Sequence, residues 1–189
     1  MVDKSLNETI ELRTIKFSSI LPLWSSAEAF RRIGEGLVAN STFVDLKFSD
    51  EEALNSAITN KILAMELYLK FIYAVDYWCT NFDKNKTKSC VCDTDDIRML
   101  YSALLPKRQQ YITSQILSDF RSTDGVEDFL SSYEQEYYRW RYSYTRKAKP
   151  HLKNKTISRI LSALRKCCVH LVTEYRYIVP QSILRAINS

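Results

Sequence analysis

The chain predicts a mainly α-helical fold, a single-domain bundle of about five to six helices. Two observations carry that reading. Glycine and proline together supply only seven of 189 residues, too few for the frequent turns of an all-β architecture. Residues 50–78 form one long run with apolar side chains at helical spacing: Leu54, Ala57, Ile58, Ile62, Met65, Leu69, Ile72 and Val75. With 46% hydrophobic and 26% charged residues, the chain is globular in composition and long enough to bury a core.

Residues 1–24 read as an N-terminal extension. Ile10, Leu12, Ile15 and Phe17 alternate with polar residues, as do Val44, Leu46 and Phe48. A small hairpin pairing 9–17 with 43–48 fits that alternation. The bundle proper spans 25–177. Ser25 or Ser26 can cap its first helix, which runs through Phe30, Ile33 and Leu37 towards Asn40. Ser49 with Glu52 makes a capping box for the second. That helix, roughly 43 Å long over 50–78, has the length of a bundle spine.

A polar loop follows at 81–89. Asp93 or Thr94 caps a short helix carrying Ile97, Leu100, Tyr101 and Leu104, stopped by Pro106. A helix over 107–121 puts Ile112, Ile116 and Phe120 on one face, and Gly125 breaks it. Another begins near Asp124 and includes Phe129, Leu130, Tyr133 and Tyr137. After a linker at 146–150, the last long helix covers 156–177, with Ile157, Ile160, Leu164, Leu171 and Tyr175 inward. Residues 178–189 read as a C-terminal tail.

Charge is segregated along the chain. From Tyr137 to Thr173 there are ten Lys or Arg residues and no Asp or Glu. Residues 1–136 carry fifteen basic and twenty-one acidic side chains, so a net charge of +5 conceals an acidic body and a basic C-terminal region. Folding does not require this segregation, whereas clustered cations attract polyanions. Arg139, Arg141, Arg146, Lys147, Lys149, Lys153 and Lys155 are the candidate nucleic-acid contacts. Aromatics interleave with the first of them, and cations beside aromatic rings can neutralise phosphates and stack bases. Tyr133, Tyr137, Trp140 and Tyr144 also have the spacing of a buried helical stripe. In that case the cations alone face outward, towards nucleic acid, the protein's own acidic body or an acidic partner protein.

Three stretches, in order, resemble bacterial HEPN-type helical domains, named for higher-eukaryote and prokaryote nucleotide-binding proteins. They are Met65-Glu66-Leu67-Tyr68-Leu69-Lys70, the run Asp95-Asp96-Ile97-Arg98-Met99-Leu100-Tyr101-Ser102-Ala103-Leu104-Leu105-Pro106, and Tyr138-Arg139-Trp140-Arg141-Tyr142-Ser143-Tyr144. Together they cover roughly residues 50–145. The resemblance implies a helical bundle, frequent homodimerisation and a role around RNA, often in toxin–antitoxin or anti-phage systems. An antitoxin would then be a partner. Active family members are metal-independent ribonucleases with an Arg followed, after four to six residues, by a His. Asp95 stands where the second signature usually has His, so no role of that His carries over.

Two pairs match the Arg-x4-His pattern: Arg165 with His170, and Arg146 with His151. A His can move the proton of a ribose 2′-hydroxyl while an Arg stabilises the phosphate. Five residues rotate a helix by roughly 140°, so Arg165 and His170 are not neighbours on one regular helix. They could meet across a dimer axis or at a distorted helix start. The alternative is that His170 is an ordinary helix residue and His151 a solvated linker residue.

Other chemistries lack their residues. Cys79, Cys90, Cys92 and the adjacent Cys167-Cys168 do not have zinc-knuckle spacing, so no metal is expected. Asp93, Asp95 and Asp96 are explained by a helix start. There is no Gly-rich phosphate loop, nucleophile elbow or His-Glu-x-x-His, and no cofactor is expected. Residues 1–7 have no apolar signal core and no apolar stretch reaches membrane length. Five cysteines then read as cytosolic thiols, and the sequons at Asn7, Asn40, Asn85 and Asn154 as unglycosylated. The expectation is a cytoplasmic protein with no membrane contact.

Overall fold

The computed structural model describes residues 20–37, 50–80, 94–117 and 154–188, together with Val126 and Leu130. Six helices and no strand occur among them. We label them α1 (20–37), α2 (Asp50–Thr80), α3 (Ile97–Ser102), α4 (Pro106–Leu117), α5 (Asn154–Glu174) and α6 (Gln181–Asn188). The mainly α bundle expected from composition and periodicity is therefore the observed fold.

Helix α2 is the spine. Its 31 residues bury far more than one stripe: Tyr68, Phe71 and Ala74 are as inaccessible as Met65 and Ile72. A helix apolar on most sides belongs inside a bundle rather than on its surface. α5 lies along it, α3 packs against it, α4 packs on α5, and α6 returns onto α5. From α1, Trp24 meets Tyr68 and Phe71 with ring centroids 5.6 and 5.8 Å apart. These tilted aromatic contacts add about 0.5–1.5 kcal/mol each to the burial itself.

The helix starts and stops differ from the sequence reading in instructive ways. α1 is already helical at Ile20, five residues before the expected Ser25. Ile20, Trp24 and Ala27 form an apolar i, i+4, i+7 row that is fully buried, and that burial outweighs the capping preference of the two serines. The cap of α3 is Asp96, not Asp93 or Thr94. Its Oδ1 accepts from the amides of Arg98 and Met99 at 2.8 and 3.1 Å, while Thr94 Oγ1 accepts from the Asp96 amide. Pro106 does not merely stop α3; it opens α4, where a missing N–H costs nothing. The Gln109 side-chain amide donates to the carbonyls of Tyr101, Ser102 and Leu104, closing the α3–α4 corner.

Residues 178–189, read as a tail, contain α6, whose Ile183 and Ile187 are buried with Val179. Pro180 precedes this helix and its carbonyl accepts from Ile183 and Leu184. Cys167 and Cys168 are both buried, and Cys168 Sγ lies 3.8 Å from the Tyr68 carbonyl. Val126 and Leu130 are helical and buried, in agreement with a helix from Asp124. The possible hairpin of 9–17 with 43–48, Ser49, the loop at 81–89, the Tyr133–Tyr144 stripe and the linker at 146–150 lie outside the described residues.

Gly34 sets how closely α1 approaches α2. A Cβ there would stand 2.9 Å from the Ala57 carbonyl oxygen and 2.8 Å from Lys61 Cγ. The lysine stem can shift, but the backbone oxygen cannot. Gly34→Ala should therefore destabilise the fold by about 1–3 kcal/mol, despite the roughly 1 kcal/mol by which alanine outranks glycine in helices. Gly36, with nothing within 4 Å of its added Cβ, should give no loss as alanine. Urea midpoints of the two variants test the contrast.

Candidate functional site

Helix α5 carries the three candidate residues that are described, Lys155, Arg165 and His170, and it has three faces. The first is apolar and buried, running from Ile157 through Leu164 to Leu171. The second faces α1 and α2 and holds Ser158 and Arg165, seven residues and so two turns apart. Ser158 Oγ accepts from Lys61 Nζ at 2.9 Å. Arg165 Nε donates to Glu28 Oε1 at 2.7 Å, and its guanidinium lies 5.6 Å from the Trp24 ring centroid. The third face is open to solvent and shows Lys155, Ser162, Lys166, His170 and Thr173.

Arg165 and His170 consequently have different neighbours. Arg165 is held by α1. The His170 ring lies parallel to that of Tyr111 on α4, with centroids 4.5 Å apart and planes within 2°. Their partners agree with the 140° offset of helical geometry, and the two side chains are not brought together within one chain. Lys155 is exposed in the first turn of α5. Arg139, Arg141, Arg146, Lys147, Lys149, His151 and Lys153 lie outside the described residues.

Two polar clusters escaped the sequence reading. The first centres on Glu28, which is nearly buried. It accepts from the Tyr68 hydroxyl, from Arg31 Nη2 at 2.9 Å and from Arg165. Burial pushes its carboxyl upward, but the hydrogen bonds from Arg31, Tyr68 and Arg165 outweigh it, and the net shift is downward. Arg31 also donates to Glu35 at 2.6 Å. The second cluster joins three helices. Arg108 of α4 grips Asp76 of α2 bidentately, Nε and Nη2 each 2.9 Å from a carboxylate oxygen, and Nη1 reaches Glu174 of α5. Lys107 donates to Glu174 at 2.8 Å and the Tyr175 hydroxyl to Asp76 at 3.0 Å.

A faint signal for these clusters was present. Lys61 and Asp76 sit at positions of α2 whose neighbours in the helical period are mostly apolar, and both are buried. Burial pushes the Lys61 ammonium downward. A charge at a core position demands a partner, although the sequence does not say which.

Cys167 and Cys168 are poorly placed to act as nucleophiles. Burial pushes Cys167 up to about 12 and Cys168 well above the usual thiol range, leaving almost no thiolate at neutral pH. Lys70 bridges Glu66 and Asp95 at 2.8 Å each. Asp95, at the position where the HEPN-type signature usually has His, is thus paired with a lysine. Burial holds the Glu66 carboxyl above its ordinary value in spite of that lysine.

Glu174 gives a measurable pH signature. Hydrogen bonding from Arg108, with help from Lys107, brings its carboxyl from 4.5 to about 2. A carboxyl depressed in the folded state stabilises above its unfolded pKa and loses that contribution as pH falls through the folded one. The Glu174 contribution should vanish between about pH 4.5 and about pH 2. Glu66 has the opposite sign, so the comparison that isolates Glu174 is wild type against Glu174→Gln. The variant should be less stable at neutral pH, and the two urea midpoints should converge on acidification. Parallel curves would remove Glu174 from the acid response.

Among the described residues no helix is long and apolar enough to cross a membrane. Comparison with protein-family models, with curated proteins and with solved structures finds no match, so residue chemistry and geometry carry the functional assignment.

Proposed function

We propose that this protein is an RNA-associated, HEPN-like helical module of the cytoplasm that holds its ligand through the basic C-terminal region. The single observation behind this reading is the acid-free stretch from Tyr137 to Thr173 with its ten cations. The placement of α5 supports it. Lys155, Lys166 and His170 fall within about 60° of one another around the helix axis, all exposed, and α5 has no carboxylate before Glu174. In sequence, Lys155 directly follows the cationic run Arg139, Arg141, Arg146, Lys147, Lys149 and Lys153. Phosphates would bind along it mainly by charge, without sequence preference. A homodimer, an antitoxin or other acidic partner, and a role in toxin–antitoxin or anti-phage defence follow from the family resemblance.

The binding test is quantitative. Affinity for a single-stranded RNA should fall steeply with salt, because each neutralised phosphate releases counterion. Replacing Lys147, Lys149 and Lys153 by Glu should weaken all RNA sequences alike. Loss of three contacts should flatten the log–log salt slope by about 2. Absence of binding at low salt, or indifference to these changes, would assign the basic run to a protein partner.

A ribonuclease is the second reading, favoured by the exposure of His170 and disfavoured by the anchoring of Arg165 to Glu28. Such an enzyme would need His170 as general acid/base and an arginine from a partner copy or from the run around Arg146. Cleavage should survive chelator, leave a 2′,3′-cyclic phosphate, spare DNA and disappear in His170→Ala with the helical spectrum unchanged. Full activity in that variant would turn attention to His151 with Arg146. Intact RNA after incubation with both monomer and dimer leaves binding as the function.

A further inference from the structure

Beside the Glu28 cluster lies a cleft of about 240 Å³ lined by Trp24, Ser25, Glu28, Arg32, Arg165 and Ile187. We propose that this cleft binds a phosphate monoester, gripped by Arg32 and Arg165. The inference does not depend on the RNA-binding reading.

Glu28 fixes Arg165 without using up its guanidinium. Only Nε is engaged, and neither Nη group donates to any described residue. The carboxylate already accepts from Tyr68, Arg31 and Arg165, so much of its charge is shared out before a ligand arrives. Arg32 is exposed on α1 and makes no ion pair among the described residues. Arg31, Arg32 and Arg165 outnumber Glu28 and Glu35, so the neighbourhood is cationic. Two guanidinium forks suit the two charges and several oxygens of a phosphate monoester, and a fork already held in place loses less entropy on binding. The Ser25 hydroxyl can donate to a further oxygen.

The remaining wall is apolar, with Ala29 and Ala186 at its surface and the edges of the buried Trp24 and Ile187 beneath them. At about 30 Å³ for each water-sized group, the cleft holds roughly eight. That is room for the phosphate and the first carbons of its ester, with the rest of a small sugar at the open mouth of the cleft. The same chemistry is offered by the 5′-phosphate end of an RNA and by a free sugar phosphate.

Isothermal titration of the full chain with ribose 5-phosphate tests the site. Saturable binding is expected, weakened about tenfold or more by Arg32→Gln and by Arg165→Gln, and unchanged by Arg176→Gln on the exposed turn after α5. Arg32 is exposed and lies outside the Glu28 cluster, so its variant stays interpretable should Arg165→Gln fail to fold. No binding at millimolar ligand, unaltered binding in Arg32→Gln, or equal affinity for the dicarboxylate glutarate would each overturn the assignment. A short oligoribonucleotide with a 5′-phosphate, compared with its 5′-hydroxyl form, identifies the source. Tighter binding of the phosphorylated end than of ribose 5-phosphate supports the site as an RNA-end pocket, and equal or weaker binding supports it as a sugar-phosphate pocket. Replacing Lys147, Lys149 and Lys153 by Glu should leave ribose 5-phosphate binding intact, which separates this site from the basic run.

Discussion

The bidentate pair between Asp76 and Arg108 is the interaction on which the arrangement of α2, α4 and α5 depends. Both side chains are buried, Asp76 at 4% and Arg108 at 2% exposure. A buried charge without its partner costs several kcal/mol, more than a typical single hydrogen bond returns. Arg108 can satisfy Asp76 only if α4 lies across α2, and it can reach Glu174 only if the end of α5 lies beside them. The pair therefore specifies one packing of three helices where apolar contact alone would accept several. Its net worth relative to a hydrophobic substitute is small by the same reasoning; its value lies in selecting the register.

The same constraint acts at the other end of the spine. α2 is enclosed on most sides, so a polar group it carries inward is stabilised when another helix meets it. Lys61 is met by Ser158, and the Tyr68 hydroxyl by Glu28. Glu28 then draws Arg165 out of the cationic population of α5. Arg165, on the acid-free stretch, is thus paired with a carboxylate of the acidic body. Lys155, Lys166 and His170 remain on the solvent side.

What the sequence made legible follows from which forces are local. The 50–78 periodicity located α2 to within two residues because its many buried positions repeat the same statement. The start of α1 was misplaced because two serines gave a stronger local signal than the three-residue row Ile20, Trp24 and Ala27. α6 was missed because eight residues offer only two turns of evidence. Asp96 was passed over because three aspartates stand near one helix start, and which of them caps depends on backbone geometry. The Arg108 and Glu28 clusters were illegible for a different reason. A lone charge in an apolar period announces that a partner exists, while the partner lies 32 residues away for Asp76 and 137 for Glu28 and Arg165.

Charge counting reached its limit on α5 itself. Ten cations without an acid give the helix and its approach one sign, but not one role. Helical geometry divides them: an offset of about 140° sends Arg165 to Glu28 and Trp24, and His170 to the surface against Tyr111. Spacing alone had suggested the two might act together; their neighbours place them in separate environments. An arginine anchored through Nε in a cleft is prepared to hold an anion that stays. A histidine stacked on a half-buried tyrosine, with lysines along the same face, stands on the solvent side of the helix. The pattern that first resembled one catalytic pair is, in this fold, two side chains held in separate environments on a single helix.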